Sequence, residues 1–172
     1  VNGHLIPALD EVGELFESGR YFLPQLIASA EAAKEGFEAV RSAVGSLEHM
    51  RGPIVLATVR GDIHDIGKNI VAMLLENYGY RIIDLGRDVD PQAVVDAVNA
   101  SDAKLVGLSA LMTTTMESMK LTIDEIRSQC PQGVKVMVGG AVLNEEYAQM
   151  VGADYYAKDA MESARIASEV CG

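Results

Sequence analysis

The chain has 172 residues, 49% of them hydrophobic and 23% charged, with a formal net charge of -11 at pH 7. That length holds one complete core or a core with a small appendage, and no apolar run approaches the ~18–20 residues that span a bilayer. The acidic balance argues against nucleic acid, whose phosphates would be repelled, and leaves small molecules or a basic-faced protein as partners.

Cys130 and Cys171 form neither a CxxC pair nor a disulfide framework, and the chain starts without a signal-peptide pattern. A reducing, cytoplasmic location with no membrane partner is therefore expected. Residues 5–17 read as a short amphipathic helix, because Leu5, Leu9, Val12, Leu15 and Phe16 recur at helical spacing and Ser18-Gly19 stops the run. After Arg20-Tyr21-Phe22-Leu23-Pro24, a second, longer helix is predicted from Leu26, Ile27, Ala30, Ala33, Phe37, Val40 and Val44. Their period is about 3.6, and Pro24 is tolerated in the first turn. Two helices alone bury little, so this hairpin must lie against the main domain or its ligand.

Residues 45–52 break the pattern with glycines and charges, which divides the chain into a helical cap, residues 1–47, and a main domain, residues 53–172. Beyond the break, strand signals cover residues 54–59, 81–85, 104–109, 134–138 and about 154–157. Helix signals alternate with them over 68–78, 91–100, about 115–129, 144–151 and from about 160 onward. Asp90-Pro91 opens one helix with a cap and a first-turn proline, and Gly79 stops another. Five βα units predict an α/β fold: a Rossmann-like, flavodoxin-like parallel sheet of five strands with helices on both faces, preceded by the small all-α cap.

One stretch carries chemistry. Gly61-Asp62-Ile63-His64-Asp65-Ile66-Gly67-Lys68-Asn69 joins the first strand to the next helix, and ligands of open parallel sheets bind beyond the carboxyl ends of the strands. Gly61 and Gly67 can take backbone angles closed to other residues and admit a bulky ligand to the main chain, while Asp62 can orient the His64 imidazole. A P-loop reading fails twice. Five residues, not four, separate the first glycine from Gly-Lys, and Asn69 stands where Ser or Thr would hold magnesium. A protein-ligated zinc or iron needs three or four ligands, whereas the histidines are His4, His49 and His64 and the two cysteines lie far apart. One histidine suffices when the cofactor brings the other ligands.

Two further strand ends belong at the same sheet edge. Ser109-Ala110-Leu111-Met112-Thr113-Thr114-Thr115 carries hydroxyls, and Gly139-Gly140-Ala141 leaves room for a ligand to slide close to the backbone. By themselves these segments read equally well as an N-cap cluster and a tight turn. Met112, Met116 and Met119 have the spacing of core residues.

The D-x-H-x-x-G signature over residues 61–67, with Gly107-Leu108-Ser109 and Gly139-Gly140 behind it, resembles the fingerprints of the cobalamin-binding family. Val12-Gly13-Glu14-Leu15-Phe16 and Arg20-Tyr21-Phe22-Leu23-Pro24-Gln25 are similar to the helical cap of cobalamin-dependent methionine synthase and of small corrinoid proteins of methyltransferase systems. The likeness covers almost the whole chain. Adenosylcobalamin mutases resemble the second domain but lack this cap, which favours methyl transfer over radical rearrangement. The family cap is normally a four-helix bundle, of which this chain carries the second half.

The resemblance implies cobalamin or a related cobamide bound base-off, with His64 replacing the cofactor's own lower base as axial cobalt ligand. Asp62 would bond the other ring nitrogen, and Thr115 would extend that relay. Gly61, Ile63, Asp65, Ile66 and Gly67 count among the implied cofactor-binding residues. The displaced nucleotide tail would enter a slot lined by Ser109, Thr113, Gly139 and Gly140 and closed near Asp159 and Ala160. Phe16, Leu23 and Leu26 would cover the upper face of the corrin, with Asn2 nearby. The implied activity is that of a methyl carrier, a subunit of a corrinoid-dependent methyltransferase system. Its partners would be a substrate-specific methyltransferase, an acceptor methyltransferase and a reductive activase. The alternatives are the cobalamin-binding subunit of a mutase and a cobalamin-sensing module.

Overall fold

The computed structural model describes residues 5–44 and 51–172. Asn2, His4, His49 and residues 45–50 of the expected boundary lie outside that set, as do the side chains of Leu5, Ala30, Phe37, Val40 and Val44. Helix α1 (Leu5–Glu17) and helix α2 (Leu23–Val44) form the expected hairpin. Gly19 takes φ +72 in the turn between them, where the N–H groups of Arg20 and Tyr21 both reach the Leu15 carbonyl at 2.9 Å.

The second part alternates strictly. Strands β1 (Arg51–Thr58), β2 (Tyr80–Asp84), β3 (Leu105–Ser109), β4 (Lys135–Gly139) and β5 (Tyr155–Tyr156) form one sheet. Each is followed by a helix: α3 (Ile66–Asn77), α4 (Pro91–Ser101), α5 (Met116–Gln129), α6 (Glu145–Val151) and α7 (Ala160–Cys171). Every pairing is parallel, in the order β2-β1-β3-β4-β5. Alternate residues face opposite sides. Val55, Ala57, Val106 and Val136 meet Val94, Val98, Ile123 and Ile126 from α4 and α5. Ile54, Leu56, Leu105 and Met137 meet Leu74 and Leu75 of α3 and Ile166 and Ala167 of α7. Burial on both faces is why the strands read as continuous apolar runs.

The hairpin packs on this second side, with Leu9, Leu26 and Ala33 buried in the same cluster. Helix α1 crosses α7 closely, since a Cβ at Gly13 would come within 2.1 Å of Met161 Cε. The local signals behave as expected at two places. The Asp90 carboxylate accepts the Gln92 N–H at 3.0 Å ahead of Pro91, and Gly79 takes φ +86 just beyond α3. Met119 is wholly buried and Met116 packs against the core.

Two boundaries differ from the sequence reading by more than one residue. Strand β1 begins at Arg51, ahead of residue 54, because the Arg51 N–H pairs with the Gly79 carbonyl and the ladder absorbs Pro53 through a register shift. Helix α3 begins at Ile66, two residues ahead of 68. The helix expected over about 115–129 is α5, Met116–Gln129, and a 3-10 turn, Thr113–Thr115, leads into it.

The topology positions the site. Chain growth reverses between β2 on one side of β1 and β3 on the other, so the helices that follow β1 and β3 lie on opposite faces of the sheet and leave a crevice at its carboxyl edge. Register puts Thr58, Ser109 and Gly139 side by side at the carboxyl edge.

Candidate functional site

Five donors converge on the wholly buried carboxylate of Asp62. Oδ1 accepts the His64 backbone N–H at 3.0 Å and stands 2.8 Å from His64 Nδ1. Oδ2 accepts the backbone N–H groups of Leu111 at 2.7 Å and Met112 at 3.2 Å. The Thr115 hydroxyl lies 3.2 Å from Oδ2 and shares its proton with the Met112 carbonyl at 2.8 Å. Burial pushes the Asp62 carboxyl upward, but hydrogen bonds from the His64 and Leu111 N–H groups, the imidazole and the Met112 N–H outweigh it, leaving a pKa of about 2. An ionised carboxylate only accepts, so His64 Nδ1 must carry the proton. In the neutral imidazole the other ring nitrogen, Nε2, then keeps its lone pair, which is the form of histidine that ligates metals.

The His64 side chain is half exposed and borders a cavity of about 840 Å³. Ile63, Asp65, Ile66 and Gly67 border it beside His64, and Phe16, Leu23 and Leu26 contribute from the hairpin. Ser109, Gly139, Gly140, Asp159 and Ala160 line the part along the strand ends. Its inner end reaches Leu56, Gly107 and Met137 between the sheet and its covering helices.

The other expected site residues stand off the lining. Asp62 and Thr115 sit behind the imidazole as its support. Gly61, at φ +85, gives its N–H to Asp88 Oδ1 at 2.7 Å. Thr113 is exposed, because the 3-10 turn that brings Thr115 to Asp62 carries Thr113 outward. Asn2 lies outside the described residues.

The glycines act differently from the sequence reading. Gly67 is helical without a positive φ, and a Cβ there would meet nothing within 4 Å, so its contribution is open space. Gly140, at φ +139, would drive a Cβ to 1.9 Å from the Ala110 carbonyl oxygen, and one at Gly139 would come to 3.0 Å from the Ala157 carbonyl oxygen. Close packing of strand-end loops therefore already demands Gly140 and leaves little room at Gly139.

Sequence reasoning gave no site role to several residues. Gly107 lines the inner end, where a Cβ would strike Leu56 and Met137 at 2.6 and 2.8 Å, so the packing there already demands a missing side chain. Thr58 Oγ1 lies 2.9 Å from Ser109 Oγ. Lys68, nearly fully buried, pairs with Asp84 Oδ1 at 2.6 Å and Asn69 Oδ1 at 2.8 Å. The position of Asp84 at the end of a parallel strand was the available signal. Among the described residues no group of three His, Cys, Asp or Glu side chains is arranged to hold a metal ion. No described helix is long and apolar enough to cross a membrane.

Residues 52–165 match a family model described as a B12 binding domain, and residues 1–41 match a second model of the same description. The chain is 40% identical over 169 residues to dimethylamine corrinoid protein 1 of Methanosarcina acetivorans, covering 96% of this chain and 79% of that protein. It is 39% identical over 158 residues to trimethylamine corrinoid protein 1 of Methanosarcina mazei, covering 90% and 73%. A cobalamin-binding protein from Desulfitobacterium hafniense superposes with a TM-score of 0.85 at 37% identity, over 95% of this chain and 78% of that one. The methanol:cobalamin methyltransferase complex MtaBC from Methanosarcina barkeri contains a chain that superposes with a TM-score of 0.84 at 32% identity, over 99% and 66%.

Proposed function

The chain belongs to the B12-binding family, and from that premise we propose that it is a corrinoid methyl carrier in which His64 gives cobalt its one protein ligand. The observation that carries this is His64 Nδ1 at 2.8 Å from a wholly buried carboxylate, which leaves Nε2 as a lone-pair donor beside the cavity. When bound, a corrinoid supplies four equatorial nitrogens and a cobalt that takes up and gives away a methyl group.

The residues present fit such a group. A cavity of about 840 Å³ lies between the hairpin and the strand ends, with His64 on its border. Base-off binding with histidine ligation also needs somewhere for the displaced nucleotide tail, and the part of the cavity lined by Gly107, Ser109 and Gly139 is the candidate for it. Asp62 fixes the tautomer and aim of His64, and Thr115 and the Leu111 and Met112 N–H groups hold Asp62. Phe16, Leu23 and Leu26 form an apolar wall that excludes water. A methyltransferase must reach past that wall, so the hairpin has to move.

The cap is assigned to residues 1–47 and the corrinoid-binding domain to residues 53–172, a division supported by separate family matches to 1–41 and 52–165. Corrinoid proteins of methylamine systems among the relatives, and a methyltransferase complex among the structural neighbours, support methyltransferases as partners. A reductive activase completes the set, since a cobalt centre oxidised by accident must be returned to service.

Paramagnetic resonance of the Co(II) form tests the ligand. Protein labelled with ¹⁵N-histidine and loaded with ¹⁴N-cobalamin is expected to split the signal into doublets. The folded His64→Ala variant is expected to lose them. Doublets that persist in the variant, or ¹⁴N triplets from the tail base in the wild type, overturn the proposal.

A further inference from the structure

We propose that Asp88 is a positioning residue for the metal-ligand loop, gripping the Gly61-Asp62 dipeptide by both ends and thereby setting the aim of the Asp62 carboxylate at His64. The inference rests on reading His64 as the cobalt ligand.

Asp88 makes two bonds to this dipeptide. Its Oδ1 accepts the Gly61 N–H at 2.7 Å, and its own N–H donates to the Asp62 carbonyl at 3.0 Å. The first N–H and the last C=O of the dipeptide are therefore tied to one residue on a neighbouring loop. Asp88 makes both bonds from φ 53, a left-handed conformation that is uncommon outside glycine and best tolerated by Asn and Asp. Among the described residues, Asp102 is the other non-glycine with positive φ, and it caps the end of α4. Asp88 ends no helix.

Neighbouring hydrogen bonds flank this conformation. The β1–β2 ladder continues past the strand ends, with Thr58 N–H on the Gly86 carbonyl at 2.9 Å and Val89 N–H on the Thr58 carbonyl at 3.1 Å. Between those rungs the chain swings out through Arg87 and Asp88, which turns Asp88 toward Gly61. The other flank is held too. Asp84 Oδ1 accepts the Gly86 N–H at 2.8 Å and pairs with Lys68 in the first turn of α3. The loop after β2 thus contacts the chain on both sides of His64.

Placement matters because the donors on Asp62 come from two loops. His64 lies on its own loop, and Leu111, Met112 and Thr115 lie beyond β3. A shift of the Asp62 backbone toward one set lengthens its bonds to the other, and the imidazole loses its fixed orientation.

Two substitutions separate positioning from stability. Asp88→Gly keeps the left-handed conformation without strain but removes the acceptor, whereas Asp88→Asn keeps an oxygen acceptor and tolerates the same φ. In the apo protein, Asp88→Gly is expected to leave the thermal midpoint near wild type while speeding hydrogen exchange of the Gly61 and His64 amides by about tenfold. Loaded with Co(II) cobalamin, it is expected to lose at least about half of the histidine-nitrogen signal at saturating cofactor. Asp88→Asn is expected to restore both readouts. Wild-type exchange and wild-type ligation in Asp88→Gly overturn the inference. So does a failure of Asp88→Asn to restore them, or an Asp88→Gly protein that does not fold, since that would make Asp88 a stability residue. If wild type itself gives no histidine-nitrogen signal, the ligand assignment falls, and this inference falls with it.

Discussion

Replacing Asp62 by asparagine puts an NH2 group where five donors now converge, so the new side chain must choose which of them to abandon. With its NH2 on the Oδ2 side it would face two backbone donors, Leu111 and Met112, now at 2.7 and 3.2 Å. On the Oδ1 side it would face one backbone donor, the His64 N–H at 3.0 Å, together with Nδ1 at 2.8 Å. The second arrangement loses less, because an imidazole nitrogen can turn acceptor by moving its proton to the other nitrogen. Asp62→Asn should therefore invert the tautomer, leaving the proton on Nε2 and removing the lone pair offered to the cavity.

The cost follows from the same bonds. One backbone N–H loses its partner at ~1–3 kcal/mol, and the surviving bonds weaken by ~1 kcal/mol each as the acceptor loses its charge. Relief from burying that charge offsets part of this. The apo protein should lose about 3 kcal/mol in urea denaturation at an unchanged m value. Long-range ¹H–¹⁵N correlation should find the ring proton on Nε2, and Co(II) paramagnetic resonance should find no histidine nitrogen. An apo stability within about 1 kcal/mol of wild type, or an imidazole still protonated on Nδ1, would refute the reasoning.

Other perturbations test separate parts. Burial pushes the Asp154 carboxyl up, but the Val136 N–H, Arg127 and Lys135 outweigh it and hold it below the ordinary 3.8. A depressed folded value means the stabilisation is present above the ordinary carboxylate range and is lost as pH falls through it. Asp154→Ala should cost ~2 kcal/mol at pH 7 and flatten the acid limb in urea melts taken from pH 7 to 3; parallel limbs in the two proteins would contradict this. Gly140→Ala, with its Cβ 1.9 Å from a backbone oxygen at φ +139, should cost ~3 kcal/mol or more, read as a large drop in Tm. Gly67→Ala, where a Cβ meets nothing, should instead stabilise the apo protein by up to ~1 kcal/mol. It should also weaken cobalamin uptake in a binding titration, and unchanged uptake would move the corrin away from this helix start. Truncating Phe16 and Leu23 together to Ala should speed light-driven loss of the methyl group from the loaded protein. Equal photolysis rates would show that the hairpin does not cover the ring.

The alternation of strands and helices, the caps at Asp90 and Gly79 and the loop bearing His64 were legible in the sequence because each rests on local periodicity or on the conformational habits of single residues. Parallel register then brought Thr58, Ser109 and Gly139 to one edge, so a reading of strand ends found the part of the cavity lining that lies along that edge. The bond from Asp62 to His64 was legible too, since only Ile63 separates the partners. Thr115 was placed in that relay by the resemblance, but the reach of Asp62 to Leu111 and Met112, some 50 residues away, depends on how two loops meet, which no local pattern encodes. For the same reason only the tertiary structure turned Thr113 outward, gave Lys68 its partner Asp84 and bent Asp88 back onto Gly61. Sequence marked the glycines as places without side chains; packing decided which of those spaces stays open, at Gly67, and which a neighbouring carbonyl already fills, at Gly140.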